Sequence, residues 1–511
     1  MFAASAGHPP ATGRCYPGRM STTAAPLRRP RIRARGAAAP LLVGLAAAGI
    51  AGVQVGRPAP WRDEVASIAM AQRDWGPFWA TIAHVDAVHA LYYAGLHLWF
   101  AVVPYSPTTL RLPSVAAAAG TAALLVVLGR RLAGPRAGIA AGALSAVLPA
   151  MIWAGGEGRS SALTALLATA ATLALLHALE TDRRRALAWA ASSALLALTI
   201  AVFVDAALLA LAHLATVLLI GRGRRAAGAV AVVAGVLPAA PLLLVARGQT
   251  GQVDWIAQLG QPPLVPDGVV QQWFRADAIA IAWGVALLVG AASAVLRRRP
   301  ASRLAAVALP WVVLPPVLLA APALVGDPLY WPRYVTFTAP AVALLVGAAV
   351  AALPLPAAVS VALALALVAV PQERADRQPR AKAASTLQDE ARLVERSRSP
   401  GDGPSGIVYG QQDRVEGLTT RAAAIADPAP FRGLEDLIAR VPLERSTDLF
   451  GEDTTTAAAV PKTAHLRTVW VLIDPGSRPA TAVPAAGMRA LGFTETGRFR
   501  APGALLLRWT R

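Results

Sequence analysis

Two adjacent carboxylates stand in the segment Pro60-Trp61-Arg62-Asp63-Glu64-Val65, a few residues after the first apolar run. A carboxylate at a membrane surface can act as general base toward a hydroxyl acceptor, with Asp63 or Glu64 in that catalytic role. The same pair also suits the first turn of a helix, where acids favour the positive end of the dipole. Farther along come His84, Asp86, His89, Tyr93 and His97, so that three of the seven histidines and an aspartate fall close together. On a helix Asp86 and His89 would be i,i+3, and His89, Tyr93 and His97 would share one face. Asp86 and His89 are candidates for a divalent metal, although the spacing matches no closed zinc pattern.

Glu157 and Arg159 bracket a glycine in Gly155-Gly156-Glu157-Gly158-Arg159-Ser160, at the end of an apolar run. Ionisable groups at that depth are expensive and are either functional or paired with each other. Gln252 and Trp255 open a later polar stretch with side chains suited to sugar contacts. Arg333-Tyr334 begin another apolar run, and a guanidinium there can grip a phosphate bidentately or can snorkel to the interface.

The elements that must position these residues are membrane helices. The chain has 511 residues, 55% hydrophobic and 15% charged, with mean hydropathy +0.50. A soluble domain carries about 25% charged residues, so an ordinary soluble enzyme and a disordered chain are both excluded. Apolar runs near 37–56, 111–129, 137–153, 162–180, 186–203, 206–220, 226–246, 278–296, 302–323, 334–352 and 357–370 predict about eleven spans. Residues 89–104 are apolar too. Counting them as a span would invert every later basic loop, so they are read as a juxtamembrane amphipathic helix. The formal net charge is +19, but it does not indicate nucleic acid. Its arginines cluster at 28–35, 130–131, 183–185, 222–225 and 297–299, between apolar runs, which is the distribution of cytoplasmic loops. The N-terminus is then cytoplasmic, and ten of the 12 acids before residue 371 fall on the outer side, as an outward-facing site would require.

The domains predicted are a basic disordered tail at 1–36, a membrane domain at 37–370 whose first external loop is 57–110, a linker at 371–403, and a small extracytoplasmic α/β domain at 404–511. In the linker a polar stretch or a helix with little apolar face is expected. In the last domain Ile407–Tyr409, Thr468–Ile473 and Ala504–Trp509 read as strands, and Leu434–Val441 and Ala485–Leu491 as helices. Cys15 is the one cysteine, so no disulfide forms within the chain, and Met20 is a second candidate start. There is no P-loop, and no Gly-x-Gly-x-x-Gly follows a strand, which points to a donor already in the membrane rather than a nucleotide.

Taken in order, Trp61-Arg62-Asp63-Glu64, Asp86-Ala87-Val88-His89-Ala90-Leu91-Tyr92-Tyr93, Arg111-Leu112-Pro113-Ser114, Glu157-Gly158-Arg159-Ser160, Gln249-Thr250 with Gln252 and Trp255, and Arg333-Tyr334 resemble the bacterial GT-C membrane glycosyltransferases, in particular the family 39 or protein-mannosyltransferase-like group of actinobacteria. The resemblance covers roughly residues 37–350. It implies a multi-pass plasma-membrane enzyme whose donor is a sugar on polyprenyl phosphate. The sugar, mannose in this group, is transferred with inversion to a protein, lipid or glycan hydroxyl. It places the catalytic acid at Asp63 beside Glu64, a phosphate grip at Arg62, Arg159, Arg333 and Tyr334, and a sugar or acceptor site at His84, Asp86, His89, Tyr93, Glu157, Gln252 and Trp255. Gly156–Ser161 departs from the family pattern, in which an aromatic follows Arg-Ser. The residues alone leave two alternatives, a polytopic transporter and a non-catalytic cell-envelope assembly protein.

Overall fold

The computed structural model describes residues 35–258, 266–296, 301–410, 419–459, 461–475 and 485–511. Cys15, Met20, the arginines between 28 and 33, and those at 297–299 lie outside them. Met1–Ala37 and Ala38–Arg511 are separate units, and the second holds the fold.

Helices dominate it. In chain order they are α1 (Arg35–Gly52), α2 (Arg62–Ala71), α3 (Trp75–His84), α4 (Ala90–Phe100), α5 (Pro107–Ala133), α6 (Pro135–Ser145), α7 (Pro149–Gly155), α8 (Ser161–Glu180), α9 (Arg185–Val202) and α10 (Leu208–Ile220). Then come α11 (Arg225–Val236), α12 (Ala240–Arg247), α13 (Trp255–Gln258), α14 (Pro266–Trp273), α15 (Asp277–Leu296), α16 (Ala301–Ala320), α17 (Ala339–Ala351), α18 (Leu355–Asp376) and α19 (Leu387–Ser397). Among the described residues eight helical segments are long and apolar enough to cross a membrane. All eleven predicted runs are largely helical, and eight of them fall on those segments; the other three do not. The run at 137–153 is the pair α6 and α7, bent by 58°, and Ala38–Gly52 and Val204–Ile220 are shorter apolar helices. The bend falls where Pro149 removes a backbone donor and starts a new helix. The stretch 89–104 holds α4, eleven residues and too short to span about 30 Å at 1.5 Å per residue.

Residues with small side chains let the helices close on one another. A Cβ on Gly138 would sit 2.3 Å from the Val126 carbonyl oxygen, and one on Gly347 2.5 Å from the Ala141 nitrogen. These contacts seat α6 between α5 and α17. The α5 N-terminus is fixed by a capping box, in which Ser106 Oγ accepts from Thr109 N at 3.1 Å and Thr109 Oγ1 accepts from Ser106 N at 2.7 Å.

The C-terminal segment carries a five-stranded sheet, ordered β2-β1-β5-β7-β6. Its strands are β1 (Ser405–Tyr409), β2 (Leu434–Asp436), β5 (Thr468–Ile473), β6 (Thr494–Ala501) and β7 (Ala504–Thr510), with β3 (Ala439–Val441) and β4 (Glu452–Asp453) forming a separate pair. β1 is parallel to both neighbours and buried throughout, whereas β7 is antiparallel to β5 and β6. The three predicted strands and the helix at Ala485–Ala490 are present. The predicted helix at Leu434–Val441 is corrected: β2 and β3 occupy it, because ladder bonding to β1 and β4 overrides a helix-like apolar spacing.

Residues 371–403 are not a polar linker with little apolar face. α18 runs to Asp376, and α19 buries Leu387, Ala391, Leu393 and Val394 in one core with the sheet residues Val469, Val471 and Leu506. That core continues into Val65, Ile68, Ala69 and Met70 of α2. The sheet domain and the helix that carries Asp63 and Glu64 therefore share one core. The fully buried Arg73 reinforces the contact by donating to the Ser446, Asp448 and Leu449 carbonyls.

Candidate functional site

The predicted acidic pair does open a helix, since Asp63 and Glu64 lie in the first turn of α2. Consecutive helical residues project about 100° apart, so the two carboxylates part company. Glu64 points inward and is fully buried. Its Oε1 accepts from Arg111 Nε and from the Gly158 N–H, each at 2.7 Å, and its Oε2 accepts from Arg111 Nη2 at 2.7 Å. Burial pushes the Glu64 pKa up, but Arg111, Lys382 and the Gly158 N–H outweigh it and hold the carboxyl below its ordinary value. Arg111 also donates to the Val55 and Pro58 carbonyls at 2.7 and 2.9 Å, tying the segment after α1 to α5. Glu64 is thus occupied by structure, and Arg111, the first residue of the Arg111-Leu112-Pro113-Ser114 motif, helps to build the site.

Asp63 points the other way. Its Oδ2 lies 2.7 Å from Arg333 Nη2, and both side chains keep some solvent access. Arg333 rests over the Trp61 ring, 4.9 Å from its centre, and 5.8 Å from that of Tyr334. Tyr334 in turn faces Phe203 at 6.2 Å.

A second carboxylate comes from the loop between α3 and α4. Asp86 adopts a left-handed backbone, φ +58°, so it does not continue a helix into His89 as the spacing predicted. Two glutamines hold that turn: Gln252 Oε1 accepts from the Asp86 N–H at 3.1 Å and Gln249 Oε1 from the Ala87 N–H at 2.9 Å. Asp86 Oδ2 accepts from the Tyr93 hydroxyl, which accepts from Arg159 Nη1 at 2.6 Å. Arg159 Nη1 also donates to the Asp63 carbonyl at 3.1 Å and lies 3.9 Å from Asp86 Oδ2. His89 is buried, with Nδ1 2.9 Å from Ser160 Oγ and its ring stacked on Phe203 at 5.2 Å. Burial, with Arg159 and Arg333 nearby, keeps the His89 pKa well below its ordinary value.

Glu157 is buried one loop away, and among the described residues its Oε1 has no hydrogen-bond partner; the same holds for Trp61 Nε1. Burial raises the Glu157 pKa against the opposing pull of Lys382 and Arg333. Lys382 went unnoticed in the sequence. It follows α18, is 2% exposed, and lies with its Nζ 4.0 Å from the centre of the Trp153 ring, where Arg275 also sits at 3.8 Å. Burial lowers its pKa while Glu64 and Glu157 raise it. Only its residue type could have signalled this, since Lys382 and Lys462 are the only lysines in the chain.

Several predicted residues are elsewhere. Arg62 and His84 are exposed on the surface. Trp255 packs edge-on against Trp331 at 4.8 Å, and His97, one turn along α4 from Tyr93, lies against Trp75 at 4.1 Å. Gln252 grips backbone. The metal candidates do not fit a metal: Asp86 and His89 are engaged with Tyr93 and Ser160. Among the described residues no group of three or more His, Cys, Asp or Glu side chains could hold an ion.

What converges is Asp63, Asp86, Tyr93, His89, Arg159 and Arg333, walled by Trp61, Phe203 and Tyr334. All come from the same end of the helical bundle, where α1, α7, α9 and α18 end and α5, α8 and α17 begin. Two guanidinium groups can neutralise an anion there, and an accessible carboxylate can take a proton beside it.

No family model and no curated protein sequence matches the chain. Solved structures do. ArnT from Cupriavidus metallidurans bound to undecaprenyl phosphate superposes with a TM-score of 0.57 at 13% identity, over 92% of this chain and 97% of that one. The same protein in the apo state gives 0.55 over the same shares, also at 13% identity. A more distant likeness, TM-score 0.45 at 10% identity, is to the archaeal oligosaccharyltransferase AglB from Archaeoglobus fulgidus in complex with an inhibitory peptide and a dolichol-phosphate, over 84% of this chain and 69% of that one. The fold is accordingly of the GT-C type: a multi-pass α-helical membrane protein with a small C-terminal sheet domain.

Proposed function

We propose that the chain is a membrane glycosyltransferase that moves a sugar from a polyprenyl-phosphate carrier to a hydroxyl acceptor at the outer face of the plasma membrane. The observation that carries this reading is the meeting of Asp63, Arg159 and Arg333 at the end of an ArnT-like bundle. The ArnT structure holds undecaprenyl phosphate, an anion on an apolar tail, which is the ligand such a cation-bearing membrane-edge site suits. Two buried polar atoms without protein partners, Trp61 Nε1 and Glu157 Oε1, add a donor and an acceptor of the kind sugar hydroxyls satisfy. The charged groups gather at one end of the spans. A transporter would place them at mid-membrane.

In this reading Asp63 takes the proton of the acceptor hydroxyl while its oxygen attacks the anomeric carbon. The bond from that carbon to the phosphate oxygen breaks, and the electron pair leaves with polyprenyl phosphate. A single displacement inverts the anomeric centre. Arg333 and Arg159 neutralise the departing phosphate, Tyr334 and Trp61 shape the slot beside it, and Asp86, Tyr93, His89 and Glu157 form the sugar side. Glu64 is a positioning residue: its pairing with Arg111 and Gly158 fixes the α2 helix start and the Arg159 loop together. We assign the sugar as mannose from the motif resemblance. The test is membrane vesicles given labelled mannose either on polyprenyl phosphate or on a sugar nucleotide. Transfer is expected from the lipid carrier alone, and transfer from the nucleotide alone would overturn the donor class.

A further inference from the structure

The two arginines whose guanidinium groups contact Asp63 are held in different ways. Arg159 is locked, because it donates to the Asp63 carbonyl and the Tyr93 hydroxyl, lies near Asp86, and keeps only 12% of its side chain exposed. Among the described residues the one ion pair of Arg333 is with Asp63 Oδ2 at 2.7 Å, and the guanidinium otherwise leans on the faces of Trp61 and Tyr334, with 29% of its side chain exposed. Flat aromatic faces hold a guanidinium without fixing its direction, so it can turn from one oxyanion to another while keeping most of its packing. The same pair also sets a conflict. While Arg333 occupies Asp63 Oδ2, that oxygen is ion-paired and blocked as a base toward an incoming hydroxyl.

We infer that Arg333 serves two anions in turn: Asp63 in the empty protein and the donor's phosphate once it binds, so that loading the lipid carrier is what frees Asp63 to act on the acceptor. The inference rests on the proposed function and adds an order of events to it. The donor's phosphodiester carries one negative charge and two unesterified oxygens, matching a carboxylate for a planar guanidinium, and it gains a second charge as the sugar leaves, so the carrier phosphate can displace Asp63 and hold Arg333 through the transfer. Asp63 and the phosphate then bind antagonistically, and linkage makes the effect measurable from either side. The acceptor hydroxyl meets a free carboxylate only when a donor is present.

The test is a double-mutant cycle on lipid binding by the full chain in detergent. The probe is undecaprenyl phosphate and the control is undecaprenol, which lacks the anion. Removing the competitor in Asp63→Asn is expected to tighten undecaprenyl phosphate binding about five- to tenfold, the usual size of such a coupling. Arg333→Gln is expected to weaken it, Arg333→Lys to restore part of it, and in the double variant the tightening is expected to vanish. If Asp63→Asn binds no tighter than wild type, or if the tightening persists without Arg333, the handover is wrong while the phosphate reading stands. If wild type shows no preference for undecaprenyl phosphate over undecaprenol, the donor class and the handover fall together.

Discussion

Asp63 and Glu64 are neighbours in the chain and serve opposite ends. Glu64 is sealed against Arg111 and the Gly158 N–H, and Asp63 is accessible against Arg333. Breaking a buried ion pair leaves an uncompensated charge, at a cost of about 3–5 kcal/mol. Arg111→Met is therefore expected to lower the Tm of the detergent-solubilised protein sharply, and Glu64→Gln to do so less, whereas Asp63→Asn should leave Tm within about a degree or two. Thermal unfolding followed by circular dichroism checks this, and equal losses for Glu64 and Asp63 would contradict the division of labour. At this scale the sequence was partly legible. It named Asp63, Glu64, Arg159 and Arg333, of which the fold brings Asp63 and the two arginines together. It could not say which acid faces inward, because that depends on Arg111, 47 positions away. It missed Lys382, whose neighbours Trp153, Glu64 and Glu157 lie in parts of the chain that only the fold brings near.

The elements around the site are joined by few but well-placed contacts. α2 carries the acids, and its buried side belongs to the same core as α19 and the sheet, with Arg73 gripping carbonyls of 446–449. Within α19, Glu390 is buried. Its Oε1 accepts from Thr386 Oγ1 at 2.9 Å, and among the described residues its Oε2 has no hydrogen-bond partner. Burial pushes its pKa up to about 8, above an unfolded value near 4.5. The sign follows from linkage. The folded state holds the proton more tightly, so this contribution is fully present below about pH 4.5 and is lost as pH rises toward 8. Glu390→Gln is expected to raise Tm at pH 7.5 by a few degrees and to change it little at pH 4.5, and scans at the two pH values decide it. A variant no more stable at pH 7.5 would contradict the burial argument. The element types were readable wherever a pattern outlasted its context, as in the apolar helices and in β1, β5 and β7. Leu434–Val441 was not, because strands of three residues are made by their partners and not by their own propensity.

For the whole molecule, the proposed function requires an orientation with the site and the sheet domain outside the cell, the orientation expected from the arginine clusters in the sequence. Single cysteines placed at the exposed positions Gln72 and Arg222, in a Cys15→Ser background, report it. A membrane-impermeant maleimide on intact cells is expected to label Gln72→Cys and to spare Arg222→Cys; the reverse pattern would put the site in the cytoplasm and remove the lipid-linked outer-face reading. The general-base role of Asp63 is decided by transfer itself: release of labelled mannose from its polyprenyl-phosphate carrier onto acceptor by wild-type vesicles and by vesicles holding equal amounts of folded Asp63→Asn protein. Loss of a general base predicts a fall of about 10²-fold or more with lipid binding retained. Transfer by Asp63→Asn at the wild-type rate would contradict that role and the mechanism built on it.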